Sequence, residues 1–277
     1  MKIGFIGGGN MAAALIAGLA GKLTAGAHIH VVDPNAAALD QLRARYGVTT
    51  AARADGALSA CGAIVLAVKP QAMREVAAQL LPLLPPSGST AAPLIVSIAA
   101  GIRAVDLSRW LGGYRAIVRC MPNTPALIGQ GITGMVAADG VSAAQREAAD
   151  AIMRAVGATV WLDDEAKIDA VTAVSGSGPA YVFYFIEAMQ QAATELGLSA
   201  EQGRQLALAT FAGAAQLAVE ATEPVGVLRE RVTSKGGTTH AALASMAQAG
   251  VKEAIVDAVK AAARRGQTLG DEFGSVD

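Results

Sequence analysis

Only two cysteines stand among the 277 residues, and neither Cys61 nor Cys120 has a second Cys or a His at ligand spacing. That argues against a disulfide-stapled secreted scaffold and against a zinc site, and it implies a reducing compartment. Both thiols read as small buried hydrophobes. Long apolar runs are also missing. Although 53% of residues are hydrophobic and the mean hydropathy is +0.41, alanine supplies much of this and no stretch of ~20 apolar residues runs without a polar break, which excludes a membrane-spanning helix. The chain starts directly in an apolar run of strand length with no basic segment and apolar core of an export leader, so a soluble, cytoplasmic protein is the expectation. A net charge of −1 without a Lys/Arg run leaves no electrostatic footprint for nucleic acid or an anionic membrane. There is no Gly-x-Ser-x-Gly elbow, no His-Glu-x-x-His and no Cys–His pair. The three histidines, His28, His30 and His240, do not cluster, so they read as structural and no metal is expected. What remains is chemistry in which a cofactor carries the difficult step and the protein positions and polarises.

What is present begins with Lys2 to Ala12, KIGFIGGGNMA, an apolar run that breaks into three glycines and opens a helix. Gly7, Gly9 and Ala12 occupy the G-x-G-x-x-G/A positions: a tight turn, a close backbone approach for a pyrophosphate, and tight helix–sheet packing. The free N–H groups of a helix starting near Asn10 would face the phosphates. A second strand is predicted over His28 to Val32, ending at Asp33. A carboxylate there can accept hydrogen bonds from an adenosine ribose and repels a 2′-phosphate, so Asp33 taken alone favours NAD over NADP. The same Asp33-Pro34-Asn35 run also reads as a turn capping a helix over Ala36 to Tyr46. Ala63 to Val68 reads as a buried strand followed by Lys69-Pro70-Gln71 and a helix to Leu81, with Pro70 suited to a first helical position. Pro82, Pro85 and Pro86 with Gly88 predict a loop, and Leu94 to Ile98 the next strand, ending in small residues Ala99, Ala100 and Gly101. Arg115 to Cys120 and Thr133 to Ala137 follow as strands, then a helix over Ala143 to Val156 and a last strand over Thr159 to Leu162. Between them, the prolines of Met121-Pro122-Asn123-Thr124-Pro125 predict an extended loop with the amide of Asn123 and the hydroxyl of Thr124 exposed, and a simple turn explains the same residues equally.

From Asp163 onward strand patterns disappear and alanine-rich helices take over, predicted over Glu165 to Val174, Pro179 to Leu196, Ala200 to Glu220, Val225 to Val232, Thr239 to Gln248 and Val251 to Leu269. The boundary is therefore drawn at 163, giving an α/β dinucleotide-binding domain over 1–163 and an all-α domain over 164–277. The helix carrying Leu206, Leu208, Phe211, Leu217 and Val219 is apolar nearly all round. About 110 residues can hardly bury such a helix, so packing against a second subunit is expected. Two clusters, Ser175-Gly176-Ser177-Gly178-Pro179-Ala180-Tyr181 and Thr233-Ser234-Lys235-Gly236-Gly237-Thr238-Thr239, stand at helix starts. Such turns offer N–H groups and hydroxyls to an anion such as a substrate carboxylate, and they equally serve as ordinary helix caps.

Six segments in order, FIGGGNMA, LAVKPQ at Leu66 to Gln71, SIAAG at Ser97 to Gly101, RCMPNTP at Arg119 to Pro125, SGSGPAY and TSKGGTT, make the chain resemble the pyrroline-5-carboxylate reductases along essentially its whole length. The resemblance implies a Rossmann-type domain followed by a helical dimerisation domain. It also implies NADP(H)- or NAD(H)-dependent reduction of 1-pyrroline-5-carboxylate to L-proline, and a dimer often assembled into a decamer. Carried over by position, Ile6, Gly7, Gly8, Gly9, Asn10 and Met11 would hold the pyrophosphate, and Asp33 and Asn35 would lie at the adenosine ribose. Ala67, Val68, Lys69 and Pro70 with Ile98, Ala99, Ala100 and Asn123 would line the rest of the cofactor path. Glu165, Ser175, Gly236, Gly237, Thr238 and Thr239 would surround the substrate, with Thr239 as the catalytic candidate that hydrogen-bonds the ring nitrogen. Members of the family often carry Ser, Asn or Arg where this chain has Asp33, Asn where it has Ala54, and Pro where it has Lys235. A β-hydroxyacid dehydrogenase or another imine reductase shares the first-domain pattern, and a catalytically inactive nucleotide sensor could retain that domain alone. The helical half shows no Gly-x-x-Gly-x-Gly helix followed by a lysine, which argues against the dehydrogenase.

Overall fold

The structure, a computed structural model, describes every residue except 86–88, 90–91 and 276–277. Pro86 and Gly88 of the expected loop lie outside the described residues, while Pro82 stands in a 3-10 turn, Leu81–Leu83. By contacts the chain divides into two compact units, residues 1–177 together with 262–277, and residues 178–261.

Four short strands made only of buried residues form the centre of the first unit: β1 (Ile3–Ile6), β2 (Ile29–Val32), β4 (Ala63–Leu66) and β5 (Leu94–Ser97). Continuous burial is what a parallel sheet covered on both faces requires. With β3 (Thr49–Ala51), β6 (Ile117–Met121), β7 (Gly131–Ala137) and β8 (Gly157–Trp161) they form an eight-stranded sheet in the order β3-β2-β1-β4-β5-β6-β7-β8. Only β6 and β7 pair antiparallel, so β7 and β8 run against the other six strands. One face is covered by α1 (Asn10–Leu19), α2 (Ala36–Tyr46) and α5 (Ala143–Arg154), which join β1, β2, β5 and β6 in one core cluster. The opposite face is covered by α3 (Met73–Leu80) and α4 (Ala104–Trp110). Both cysteines are buried, and burial pushes both thiols above their ordinary value.

Several boundaries differ from the sequence expectation. The strand predicted from His28 begins at Ile29, because pairing with β1 starts there and His28 belongs to a 3-10 turn, Gly26–His28. β4 stops at Leu66, two residues early, since its partner β1 offers nothing beyond Ile6. The helix predicted after Lys69 begins as a 3-10 turn, Pro70–Ala72, with Pro70 in its first turn. β3 and α4, of three and seven residues, are too short to show a period and were not anticipated.

Beyond the sheet come α6 (Lys167–Val171) and a π-helical turn, Thr172–Gly176. The second unit holds α7 (Gly178–Glu195), α8 (Ala200–Glu220), α9 (Val225–Arg231), α10 (Thr238–Gln248) and the first part of α11 (Val251–Gly274). Ser199 and Gln202 form a reciprocal capping box that starts α8, worth about 1 kcal/mol. The apolar helix α8 buries only Gly203 and Ala207, leaving Leu206, Leu208, Leu217 and Val219 exposed. Within the first unit, the end of α11 presents Gly266, Gly270 and Gly274 to Asp169, Arg103 and Asp106, each too close for a Cβ to enter without displacement or tight contact. Arg103 pairs with Asp271 at 2.6 Å, and Arg109 donates to the Gly274 carbonyl at 2.7 Å.

Gly18, on the buried face of α1, has the Ala155 carbonyl oxygen 2.3 Å from where a Cβ would stand. Glycine inside a helix is ordinarily about 1 kcal/mol worse than alanine, yet here backbone occupies the space. Gly18→Ala is expected to destabilise the protein by about 1–3 kcal/mol, read as a lower melting temperature; an unchanged or higher one would contradict this packing.

Candidate active site

The carboxyl ends of β1 to β6 share one sheet edge, and the chain reverses its order between β1 and β4. Ligands bind at such a switch point in an open parallel sheet. At this edge stand Ile6 to Met11, Asp33, Asn35, Ala67 to Pro70, Ile98 to Ala100 and Asn123, every one of the predicted cofactor residues. The glycine turn fits a pyrophosphate. Gly7 has φ +103°, and a Cβ on it would stand 2.4 Å from the Ala67 carbonyl oxygen; only glycine serves here. Gly9 is exposed and has nothing within 4 Å of a would-be Cβ, leaving open space in front of the backbone. No side chain among the described residues caps α1, and its first turn holds no acidic residue. Its N–H groups and dipole are therefore directed at that open space, an anion site by geometry.

Asp33 is held from both sides: Oδ2 accepts from the Gly8 N–H at 2.7 Å and Oδ1 from the Asn35 N–H at 2.7 Å. Asn35 in turn caps α2 through Oδ1, which accepts from the Ala38 N–H at 3.2 Å. Lys69 is exposed at the end of β4, whereas Ile98 is tied to it, donating its N–H to the Leu66 carbonyl at 3.2 Å. Asn123 corrects the expected loop. Its side chain is buried rather than exposed, and Oδ1 accepts from the Ile132 N–H at 3.0 Å, joining the end of β6 to the start of β7. A buried acceptor needs a partner, and the chain supplies one. Thr124 is exposed as expected.

Ser175 sits in the π-helical turn, its hydroxyl donating to the Val171 carbonyl at 3.0 Å. The neighbouring Gly176 abuts Met121, the last residue of β6, with 2.6 Å between a would-be Cβ and the Met121 methyl. Ser175 thus shares the edge of the glycine turn, and π turns recur at functional sites. Val171 is accommodated below it by Gly134 of β7, whose Cβ would stand 2.6 Å from a Val171 methyl. Glu165 has internal partners: its Oε1 accepts from the Ala104 N–H at 2.7 Å and from Arg119 Nη1 at 2.9 Å. Arg119 is 3% exposed in the middle of β6. This ion pair was not anticipated, although an arginine flanked by Ile117, Val118 and Cys120 in a strand is a visible signal. Asp169 nearby has its carboxyl raised by burial, opposed by Arg119 and Arg103. Glu165 also borders a cleft of about 390 Å³ reaching Tyr114, Arg115 and Asp139, which lie toward the opposite sheet edge from the glycine turn.

The remaining substrate candidates belong to the second unit. Gly236 has φ +74°, and Gly237 packs on the Ser234 hydroxyl, 2.5 Å from a would-be Cβ, before serving as N-cap of α10. Among the described residues no side chain caps this helix, so its first N–H groups, with the hydroxyls of exposed Thr238 and half-buried Thr239, are donors free of a side-chain cap.

A pyrroline-5-carboxylate reductase of Pseudomonas aeruginosa is 46% identical over 273 residues, covering 99% of this chain and 98% of that protein. The chain belongs to the pyrroline-5-carboxylate reductase family. A solved pyrroline-5-carboxylate reductase from Coxiella burnetii superposes with a TM-score of 0.89 at 38% identity, covering 97% of this chain and 98% of that one. The Plasmodium falciparum pyrroline carboxylate reductase solved with NADP bound superposes with a TM-score of 0.84 at 28% identity, covering 98% of each chain. The family description "Pyrroline-5-carboxylate reductase dimerisation" matches residues 165–269, and "NADP oxidoreductase coenzyme F420-dependent" matches 2–101. The protein is thus an oxidoreductase whose first unit is built for a nicotinamide dinucleotide.

In this reductase family member Glu165 supports Arg119, which gives its position a test. Glu165→Ala removes the ion-pair partner of a buried guanidinium and leaves Asp169 as the nearby carboxylate, and is expected to cost ~3 kcal/mol, the low end for a broken buried pair because Glu165 is partly exposed and a second carboxyl remains. Adding Arg119→Met should recover much of the loss in melting temperature. A raised KM at unchanged stability would instead assign Glu165 to the substrate.

Proposed function

We propose that this protein reduces 1-pyrroline-5-carboxylate to L-proline with NADH or NADPH, the last step of proline biosynthesis. The observation that carries the reading is the glycine turn, open at Gly9 and closed at Gly7, in front of an uncapped α1, in a chain of this family. A nicotinamide dinucleotide, when bound, would supply the hydride for the reduction. Ile6 to Met11 would hold its pyrophosphate, Asp33 and Asn35 would lie at the adenosine ribose, and Ala67 to Pro70, Ile98 to Ala100 and Asn123 would border the remainder. In this reading residues 1–163 serve the cofactor and 164–277 the substrate and self-association.

The chain's own part is alignment. A protonated cyclic imine is already electrophilic, so holding it at attack geometry supplies much of the rate. The turn of Gly236, Gly237 and Thr238 receives the substrate carboxylate through N–H and hydroxyl groups, Ser175 is the first unit's own candidate for contact with the substrate, and Glu165, through Arg119, steadies the helix that carries Ser175. Thr239 hydrogen-bonds the ring nitrogen, directly or through a water, and keeps it oriented as the carbon is reduced. The exposed apolar side chains of the second unit, Phe183, Tyr184, Leu206, Leu217 and Val219 among them, support a dimer formed through the helical region; assembly to a decamer in the cytoplasm is the part of the reading that rests on the family resemblance alone.

The test is turnover. Purified protein should consume NADH or NADPH with 1-pyrroline-5-carboxylate and yield L-proline by chromatography; absence of proline overturns the reading. Thr239→Val removes the hydroxyl that orients the ring nitrogen and should lower kcat by ~10²-fold; an unchanged kcat removes Thr239 from the mechanism.

A further inference from the structure

Asp33 is tethered more firmly than ribose binding alone requires. Its N–H donates to the Ala51 carbonyl of β3 at 3.1 Å, its Oδ2 takes the Gly8 N–H and its Oδ1 the Asn35 N–H, both at 2.7 Å. The glycine turn and the start of α2 thus hold the side chain, while the end of β3 holds the backbone, at the carboxyl end of β2. The side chain is half-buried, and swinging it aside would leave the N–H of buried Gly8 without its acceptor. A carboxylate in this place accepts hydrogen bonds from ribose hydroxyls and faces any 2′-phosphate with like charge.

Resting on the nicotinamide reading above, we propose that Asp33 is the specificity-determining residue for the cofactor and makes NADH, not NADPH, the reductant of this enzyme. Repulsion between a fixed carboxylate and a phosphate dianion a few ångströms apart is large in a partly desolvated corner. The usual escape, a rotamer change, would break two short N–H contacts, one of them to buried Gly8. A cation could offset the repulsion, and chain order brings Arg53, exposed two residues beyond Ala51, toward this corner. The carboxylate is already held against the glycine turn by the Gly8 N–H, whereas a long exposed arginine must be ordered before it can act.

The test reads binding, with no pyrroline-5-carboxylate present, so it stands apart from whether that compound is the substrate. Calorimetric titration of the intact protein with NADH and with NADPH should give a Kd for NADH lower by about tenfold or more. Asp33→Asn, which keeps an oxygen acceptor for one N–H, and Asp33→Ser should bring the two Kd values within about threefold of each other or reverse them, mainly by tightening NADPH. Melting temperatures with and without each dinucleotide should follow the same order. Equal or tighter NADPH binding by the unaltered protein overturns the proposal, above all if Arg53→Ala then weakens NADPH selectively. Loss of both cofactors to the same degree in folded Asp33→Asn and Asp33→Ser also overturns it, because the carboxylate would then serve only to clamp the turn.

Discussion

The first unit is organised around one close backbone approach, Gly7 against the carbonyl of Ala67. A side chain of any size at Gly7 would collide with that carbonyl, and the positive φ there turns the chain sharply out of β1 into α1. Because β1 and β4 are neighbours on either side of the switch in strand order, this contact sets the width of the crevice between them. The start of α1, the N–H of Gly8 and the open space at Gly9 take their places from it. Asp33 then locks the turn to β2 and α2 through Gly8 and Asn35. Geometry at one residue is thereby converted into a site assembled from three strands.

A second feature is the seat of Ser175. Gly134 admits Val171 against β7 and Gly176 admits Met121 from β6, so the π turn lies directly on the sheet edge that carries the glycine turn. The buried Arg119 holds the start of this segment through Glu165, and the end of α11 lies against the same region through Asp169, Arg103 and Asp106. Charge and close packing divide the work. Ion pairs hold the segment's start, and glycine contacts set how closely it approaches the sheet. The helical region, by contrast, leaves much of its apolar surface uncovered in a single chain, as expected of a part that serves self-association.

Much of this was legible in the sequence because its signals are local. IGFI, AIVL and LIVS read as buried parallel strands since burial on both faces removes polar alternation, and the glycine fingerprint carries its own mechanism. Asp33 was legible as a carboxylate at the end of β2, but its grip on Gly8 spans 25 residues of sequence and no pattern encodes it. Elements too short for a period, β3 and α4, were missed for that reason. Asn123 was misread because two flanking prolines do suggest an exposed loop, whereas the buried Oδ1 answers a donor on Ile132 that appears only when β7 folds back antiparallel to β6. The Arg119–Glu165 pair, 46 residues apart, shows the same limit: a charge inside an apolar strand announces that a partner exists without naming it.

The central claim, that the Gly7 turn and the tethered Asp33 form the dinucleotide site, is tested most directly by a crystal structure of the protein grown with NADH. The predicted result places the pyrophosphate oxygens within hydrogen-bond distance of the N–H groups of Gly9 to Met11 and the adenosine ribose hydroxyls on the Asp33 carboxylate. Dinucleotide density away from the start of α1, or at that site with Asp33 turned from the ribose, would contradict it.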